Sequence, residues 1–205
     1  MTHPVITAIE QRISANRFDA SRAISDADIE RLVTLATRAP TAFNLQNWRF
    51  IAVRTPDAKA RLRALAWNQP KVTDASAVLI VAGELADAAQ LPARLAPSVE
   101  AGLMPQEMVT VWTDAARGLY GSEQVRRDEA VRSASLGAAT LMLAAQGLGF
   151  ASAPMTGFDA AGVASEFGLA ANEVPVMLVA IGHAAPGNWP QKPRRPVDDA
   201  LLAFA

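Results

Sequence analysis

The sequence predicts an α/β or α+β sandwich, a small sheet covered by helices on both faces. Runs with helical apolar spacing alternate along the chain with a few short apolar runs of strand length. One of these, Ala77-Val78-Leu79-Ile80-Val81-Ala82, is apolar throughout, as a strand buried on both faces must be. A long run, Glu123 to Gln146, begins charged and turns apolar on nearly all sides, so it enters the core from the surface as a central post.

The elements follow in order. Val5, Ile6, Ile9 and Ile13 form a helical stripe across Val5–Ala15, with Asn16 as its stop. Ser25 caps a second helix, Asp26 to Arg38, whose Asp26 and Asp28 suit its positive end and whose Ile29, Leu32, Val33 and Ala36 form the buried face. Pro40 stops that helix, because it lacks an N–H and clashes with the preceding turn. Trp48 to Val53 alternates and then turns apolar, as a central strand does. Thr55-Pro56-Asp57 opens a helix to about Ala66, and Pro70 blocks its extension. Leu85 to Arg117 is rich in Ala and Pro and predicts one helix, Val99 to Ala116. Ser122 caps the long helix, about 36 Å by helix rise, and Gly147 and Gly149 end it. Phe150 to Met155 is extended, Asp159 caps a short helix to Phe167 closed by Gly168, and Val174 to Gly182 is the clearest strand. Pro186 to Pro196 is a proline-punctuated tail with Lys192, Arg194 and Arg195.

Composition narrows the functions. The chain has 205 residues, a net charge of −1, no Cys and two His. That length suits one domain spanning residues 1–205, able to bury roughly 70% of its unfolded surface. With 51% apolar and 19% charged residues it reads as globular. Without a block of like charge it carries no footprint for nucleic acid or an anionic membrane. The lack of Cys removes disulfides, thiolate nucleophiles and most structural zinc sites. Met1-Thr2-His3-Pro4 lacks a signal-peptide pattern, and the most apolar run, Ala134 to Phe150, is broken by Gly137, Gln146, Gly147 and Gly149. A cytoplasmic enzyme or binding protein is the expectation.

Several chemistries are absent. Gly147-Leu148-Gly149 ends a helix rather than opening one after a strand, so it is no dinucleotide loop. No phosphate loop ending in Gly-Lys-Ser/Thr occurs, and His3 and His183 have no metal-spaced partner; His183 reads as a strand-end residue. Neither His stands near a Gly-x-Ser-x-Gly turn, and no carboxylate pair stands out. Two features remain. Pro40 to Asn47 places Thr, Asn and Gln between two rigid elements, either as a plain connection or as a ligand-binding loop. Arg12 and Ser14 at one end of the chain, with Lys192 and Arg194 at the other, form a basic pocket for a phosphate dianion if the termini meet; otherwise they are solvated surface residues.

The chain resembles the FMN-dependent nitroreductases over nearly its whole length. Arg12-Ile13-Ser14-Ala15-Asn16-Arg17-Phe18 is similar to a signature of Arg, a basic residue, Ser, any residue, a basic residue, any residue and Phe. Ala39-Pro40-Thr41-Ala42-Phe43-Asn44-Leu45-Gln46-Asn47-Trp48 resembles the family's Ala-Pro-Ser-x-x-Asn-x-Gln-Pro-Trp loop. Asn68-Gln69-Pro70-Lys71, Ala153-Pro154-Met155-Thr156-Gly157-Phe158 and Lys192-Pro193-Arg194-Arg195-Pro196 match three further motifs in the right order.

The resemblance implies an α+β fold, a nitroreductase-like mixed sheet sandwiched by helices, in an intertwined homodimer with FMN at the subunit interface. Arg12, Ser14, Lys192 and Arg194 would hold the FMN phosphate, with Ile13 and Asn16 near the flavin. Pro40, Thr41, Ala42 and Asn44 of the partner subunit would line the isoalloxazine. Asn68 and Lys71 would reach its pyrimidine edge, and backbone at Met155, Thr156 and Gly157 would face N5. Gly157 fits a close approach of backbone to a flat ring. The implied activity is ping-pong transfer of a hydride from NADH or NADPH to a nitroaromatic or quinone-like acceptor, the flavin carrying the chemistry. Dehalogenation, dehydrogenation, flavin breakdown and non-catalytic FMN binding are the alternatives on the same scaffold. Three residues depart from the family pattern. Ile13 and Asn16 replace basic residues, which makes Lys71 the main charge opposite N1 and O2; Asn47 replaces Pro, which is expected to loosen its loop. The segment Pro97 to Tyr120, with Met104, Met108 and Trp112, lies where the family has its variable lid, and Trp112 either stacks on a substrate or packs in the core.

Overall fold

The computed structural model describes residues 3–201. In chain order the helices and strands are α1 (Pro4–Gln11), α2 (Asp26–Ala36), β1 (Trp48–Val53), α3 (Pro56–Leu65), α4 (Lys71–Asp74), β2 (Ala77–Glu84), α5 (Leu91–Glu100), α6 (Glu107–Leu119), α7 (Glu123–Gly147), β3 (Ala151–Met155), α8 (Ala160–Glu166), β4 (Glu173–Gly182) and α9 (Val197–Ala200). The strands form one sheet in the order β1-β2-β4-β3, every pairing antiparallel. Among the described residues, parallel pairing enters only through an isolated bridge of Ser14 with Ser152. Strand β4 omits one residue from the register opposite Val81 and Ala82, next to Pro175, so a bulge absorbs the proline's missing N–H.

Alternation along β2 divides the core. Ala77, Leu79 and Val81 point to one face, where Leu32 and Ala36 of α2 and Ala134, Ala138 and Leu141 of α7 cover them. Val78 and Ile80 point to the other, against Leu62, Val72 and Val163 of α3, α4 and α8. A third cluster joins Leu45 to Leu91 and Leu95 of α5 and to Val109 and Ala116 of α6. Helix α7 lies so close to the sheet that a Cβ on Gly83 would stand 2.2 Å from the Ala130 carbonyl oxygen.

Caps account for the helix starts. Ser25 and Asp28 make a reciprocal capping box, and Thr55, Ser122 and Asp159 each accept a backbone N–H of the following turn. Two expectations fail. The first helix ends at Gln11 rather than Ala15, because the chain turns extended at Arg12 and pairs with the sheet edge, the Ala15 N–H donating to the Ser152 carbonyl at 3.0 Å. Strand pairing there prevails over helical spacing. The helix expected over Val99–Ala116 is replaced by α5 and α6, separated where Gly102 takes a φ of +69° and Pro105 lacks an N–H.

Candidate functional site

The two ends of the chain meet. The segment after α1 lies against the start of β3, and the tail after β4 folds back over it. Asn188 closes the contact: its Oδ1 accepts the N–H groups of Asn16 (2.7 Å) and Arg17 (3.0 Å), and its Nδ2 donates to the Arg17 carbonyl (2.8 Å). Gln191 adds a bond to the Arg12 carbonyl at 3.0 Å. Since each such bond contributes about 0.5–1.5 kcal/mol, Asn188→Ala is expected to cost roughly 1–3 kcal/mol in urea unfolding. An unshifted midpoint would make this junction energetically idle.

Between these segments lies a cleft of about 140 Å³, bounded by Arg12, Ile13, Ser14 and Asn16 on one side and by Trp189, Lys192 and Arg194 on the other. It brings together the four residues expected at a phosphate, with Ile13 and Asn16 alongside. Arg12 is half-buried and donates one bond to the Ile13 carbonyl; Arg194 donates to the Lys192 carbonyl at 2.7 Å. The Lys192 Nζ stands 5.0 Å above the Trp189 ring. No carboxylate lines the cleft, and none of the three cations joins an ion pair among the described residues. A hydroxyl and three cations without counter-charge are the donor set of an anion site, and they fit a phosphate group. The volume falls below the roughly 300–1,000 Å³ of drug-sized pockets, so the cleft holds a headgroup and not a whole aromatic ligand.

Strand β3 leads away from this cleft. From Ser152, bridged to Ser14, to Thr156 is four residues, roughly 13 Å by strand rise. Met155 is 4% exposed and its side chain belongs to the core, so only its backbone is available to a ligand. The close ring over Gly157 is the Trp67 indole: a Cβ there would come within 2.5 Å of it, which explains the glycine without a ligand. Gln69 Nε2 donates to the Gly157 carbonyl at 3.1 Å. Trp67 and Asn68 both have positive φ, 52° and 55°, and Arg63 and Asn68 exchange bonds that hold this turn. Lys71, at the start of α4, is half-buried with no hydrogen-bond partner on its ammonium among the described residues. Burial pushes that ammonium below the usual lysine range.

Residues 40–47 form a separate, strained loop. Phe43, Asn44 and Gln46 have φ of 52°, 53° and 50°, uncommon for residues with a Cβ. The surroundings hold them there. Thr41 Oγ1 accepts the Gln46 N–H at 3.0 Å, Arg94 donates to the Gln46 carbonyl at 2.9 Å, and Phe43 sits edge-on to Trp112 and Tyr120. Asn47 does not loosen the loop. It is 1% exposed and its Nδ2 donates to the Glu84 carbonyl at 2.8 Å, clasping the loop to the end of β2. Of Pro40, Thr41, Ala42 and Asn44, none lines the cleft of Arg12; Asn44 lines an apolar cleft of about 320 Å³ with Leu95, Met104, Met108 and Trp112. Trp112 is thus both a packing partner of Phe43 and a wall of that cleft.

Sequence reading passed over Arg94, Asn188, Trp67 and Trp189. The role of Arg94 in this loop gives no local signal, since Gln46, the loop residue it holds, lies 48 residues away in sequence. Trp67 and Trp189 beside Asn residues were available as exposed aromatics in turn-like sequence. His183 directly follows β4, its carbonyl accepting the Asp19 N–H and its ring edge-on to Phe150. Among the described residues there is no cluster of metal-ligating side chains and no helix long and apolar enough to cross a membrane.

Comparison with known proteins identifies the fold. The family model described as "Nitroreductase family" matches residues 9–183. YodC of Bacillus subtilis, a candidate NAD(P)H nitroreductase, is 33% identical over 179 residues, covering 87% of this chain and 89% of its own. Among solved structures, the candidate nitroreductase ydfN of Bacillus subtilis superposes with a TM-score of 0.90 at 30% identity, covering 97% of this chain and 98% of its own. A candidate nitroreductase of Exiguobacterium sibiricum, solved in complex with FMN, gives 0.88 at 32% identity, covering 98% and 96%.

Proposed function

The chain belongs to the nitroreductase family, and from that premise we propose that it is a cytoplasmic FMN-dependent oxidoreductase using NADH or NADPH to reduce nitroaromatic or quinone-like acceptors. The observation that carries this reading is the cleft of Arg12, Ser14, Lys192 and Arg194, three cations with no carboxylate among them. When bound, FMN supplies the redox chemistry, taking a hydride at N5 and yielding two electrons to an acceptor.

The residues of this chain bind and orient. Arg12 and Arg194 offer guanidinium forks to the phosphate, and Ser14 and Lys192 complete its shell. Asn68 and Lys71 would reach the pyrimidine edge, where a half-buried lysine without an ion pair among the described residues would stabilise negative charge developing on reduction. The backbone N–H groups of Thr156 and Gly157 would face N5 in this reading. Donor and acceptor would occupy the same place in turn, and because the flavin would carry the chemistry no protein nucleophile is required; protons for the acceptor would come from solvent.

A second copy completes the site in this reading. Val5, Ile6 and Ile9 of α1 are 57%, 48% and 53% exposed, an apolar stripe that another subunit would cover. Residues 40–44 stand apart from the cleft of Arg12 in one chain, which supports their meeting the flavin of the partner. The Met-rich hollow beside Asn44 supports a flat, apolar acceptor.

The test is a visible spectrum of the full chain after incubation with FMN, followed by NADH or NADPH under anaerobic conditions. Bound flavin that bleaches rapidly, then recovers on adding a quinone or nitroaromatic, is expected; a colourless protein overturns the reading. Lys71→Ala should slow flavin reduction by about tenfold while weakening FMN retention less. Because burial lowers the point at which Lys71 loses its proton, the reduction rate should fall toward alkaline pH earlier than for an ordinary lysine. That fall should vanish in the variant. Equal losses of rate and retention would make Lys71 only an anchor.

A further inference from the structure

Two cations of α3 act on the segment that carries Asn68 and Lys71. Lys59 and Arg63 stand one turn apart on that helix, so they share a face. The Lys59 ammonium donates to the Thr73 carbonyl at 2.9 Å and to the Ala75 carbonyl at 2.7 Å, closing the far end of α4. The Arg63 guanidinium donates through Nε to the Asn68 carbonyl and through Nη1 to the Thr73 hydroxyl, each at 3.2 Å. The Arg63 carbonyl in turn accepts the Asn68 N–H at 3.0 Å. Neither cation joins an ion pair among the described residues, and burial pushes the Lys59 ammonium below the usual lysine range against the pull of Asp74. The segment needs this outside support. Helix α4 is a single turn of four residues, too short to persist alone, and Trp67 and Asn68 before it sit in the left-handed region. Like charges one turn apart on a helix repel, so nothing local to α3 favours the pair.

We propose that Lys59 and Arg63 are positioning residues for the flavin: by fixing both ends of the segment 68–75 on α3, they hold Asn68 and Lys71 at its pyrimidine edge and set how far the site favours reduced over oxidised FMN. The inference rests on the reading above, in which Lys71 would reach that edge. Neither side chain needs to touch the flavin. A lysine on a freely turning segment spreads its charge over many positions and into water, where it stabilises a developing anion little. On a fixed segment the same charge stays where the anion forms. The effect of Lys59 and Arg63 thus passes through Lys71.

The measurement is the two-electron midpoint potential of the FMN-loaded full chain, taken beside its affinity for oxidised FMN. Lys59→Met and Arg63→Met should each lower the preference for reduced flavin about tenfold, a potential about 30 mV more negative, with oxidised FMN held within about threefold of the parent. Lys59→Arg, which still reaches two carbonyls, should recover most of the potential, and Arg63→Lys, which loses the fork, should fall between. In a Lys71→Ala background either Met variant should change that preference by less than about twofold; full additivity would make both remote charges and overturns the inference. Arg61→Met, which breaks the ion pair of the same helix with Glu166, should leave the potential unchanged, and an equal shift there overturns the inference too. In the flavin-free chain, amide exchange over residues 68–75 should quicken about tenfold in both Met variants, and unchanged exchange overturns the clamp. Parent potentials in both Met variants, beside a lowered one in Lys71→Ala, overturn the clamp and leave the proposed function standing. An unchanged potential in Lys71→Ala overturns the role of that lysine and the inference with it. A chain that binds no FMN overturns the function itself.

Discussion

Replacing both Arg12 and Arg194 with Ala is expected to strip the protein of FMN, weakening retention by roughly 3–6 kcal/mol, a hundredfold to more than ten-thousandfold. Each guanidinium offers charge-assisted bonds worth about 1.5–3 kcal/mol, and both line one small cleft with no carboxylate to compete for them. Because the two grip one group, their losses need not add, and the single variants measure the coupling. Arg194 is exposed and Arg12 half-buried, so salt should erode the contribution of Arg194 more. The measurement is flavin retained through dialysis at low and at high salt. Full retention in the double variant would remove these residues from the site.

Gly83→Ala should destabilise the fold by about 3 kcal/mol, the upper end for overpacking. The new Cβ would stand 2.2 Å from the Ala130 carbonyl oxygen and 2.6 Å from its carbon, both backbone atoms of the central helix that no rotamer change can move. The same substitution at Gly118, inside α6 with nothing within 4 Å of its Cβ, should instead stabilise by about 0.5–1 kcal/mol. Denaturant midpoints of the two flavin-free variants make the comparison. A Gly83→Ala midpoint equal to that of the parent would mean that α7 does not seat on β2 as described.

Much of this frame is legible in the sequence because its signals are local. Ser25, Thr55, Ser122 and Asp159 announce helix starts through side chains that satisfy nearby N–H groups, and all four do so. The unbroken apolar run of β2 can only be a strand covered on both faces. What escapes local reading depends on distant partners. The end of α1 is decided by Ser152, some 140 residues away in sequence, and pairing with it outweighs one more helical turn. Gly102 and Pro105 were visible breakers, yet the apolar spacing on either side of them reads as one helix. The cluster Arg12, Ser14, Lys192 and Arg194 could be anticipated because side chains of one chemistry gather at both ends of the chain. The strained φ of Phe43 and Gln46 could not, since Arg94 and the rings of Trp112 and Tyr120 impose it from elsewhere in the fold.

The junction at Asn188 spans 172 residues of sequence to Asn16, so joining these ends closes a loop of nearly the whole polypeptide. By chain statistics that closure costs roughly 4–5 kcal/mol of entropy, more than the roughly 1–3 kcal/mol expected of Asn188, so the neighbouring Phe18–Ala184 bridge shares it. An anion held between the first turns of the chain and its last extended stretch acts as a buckle on that loop. On a ribosome that buckle can fasten only once the segment carrying Lys192 and Arg194 has emerged, so a bound anion would be gathered in after the strands of the sheet and let go first when these two segments part.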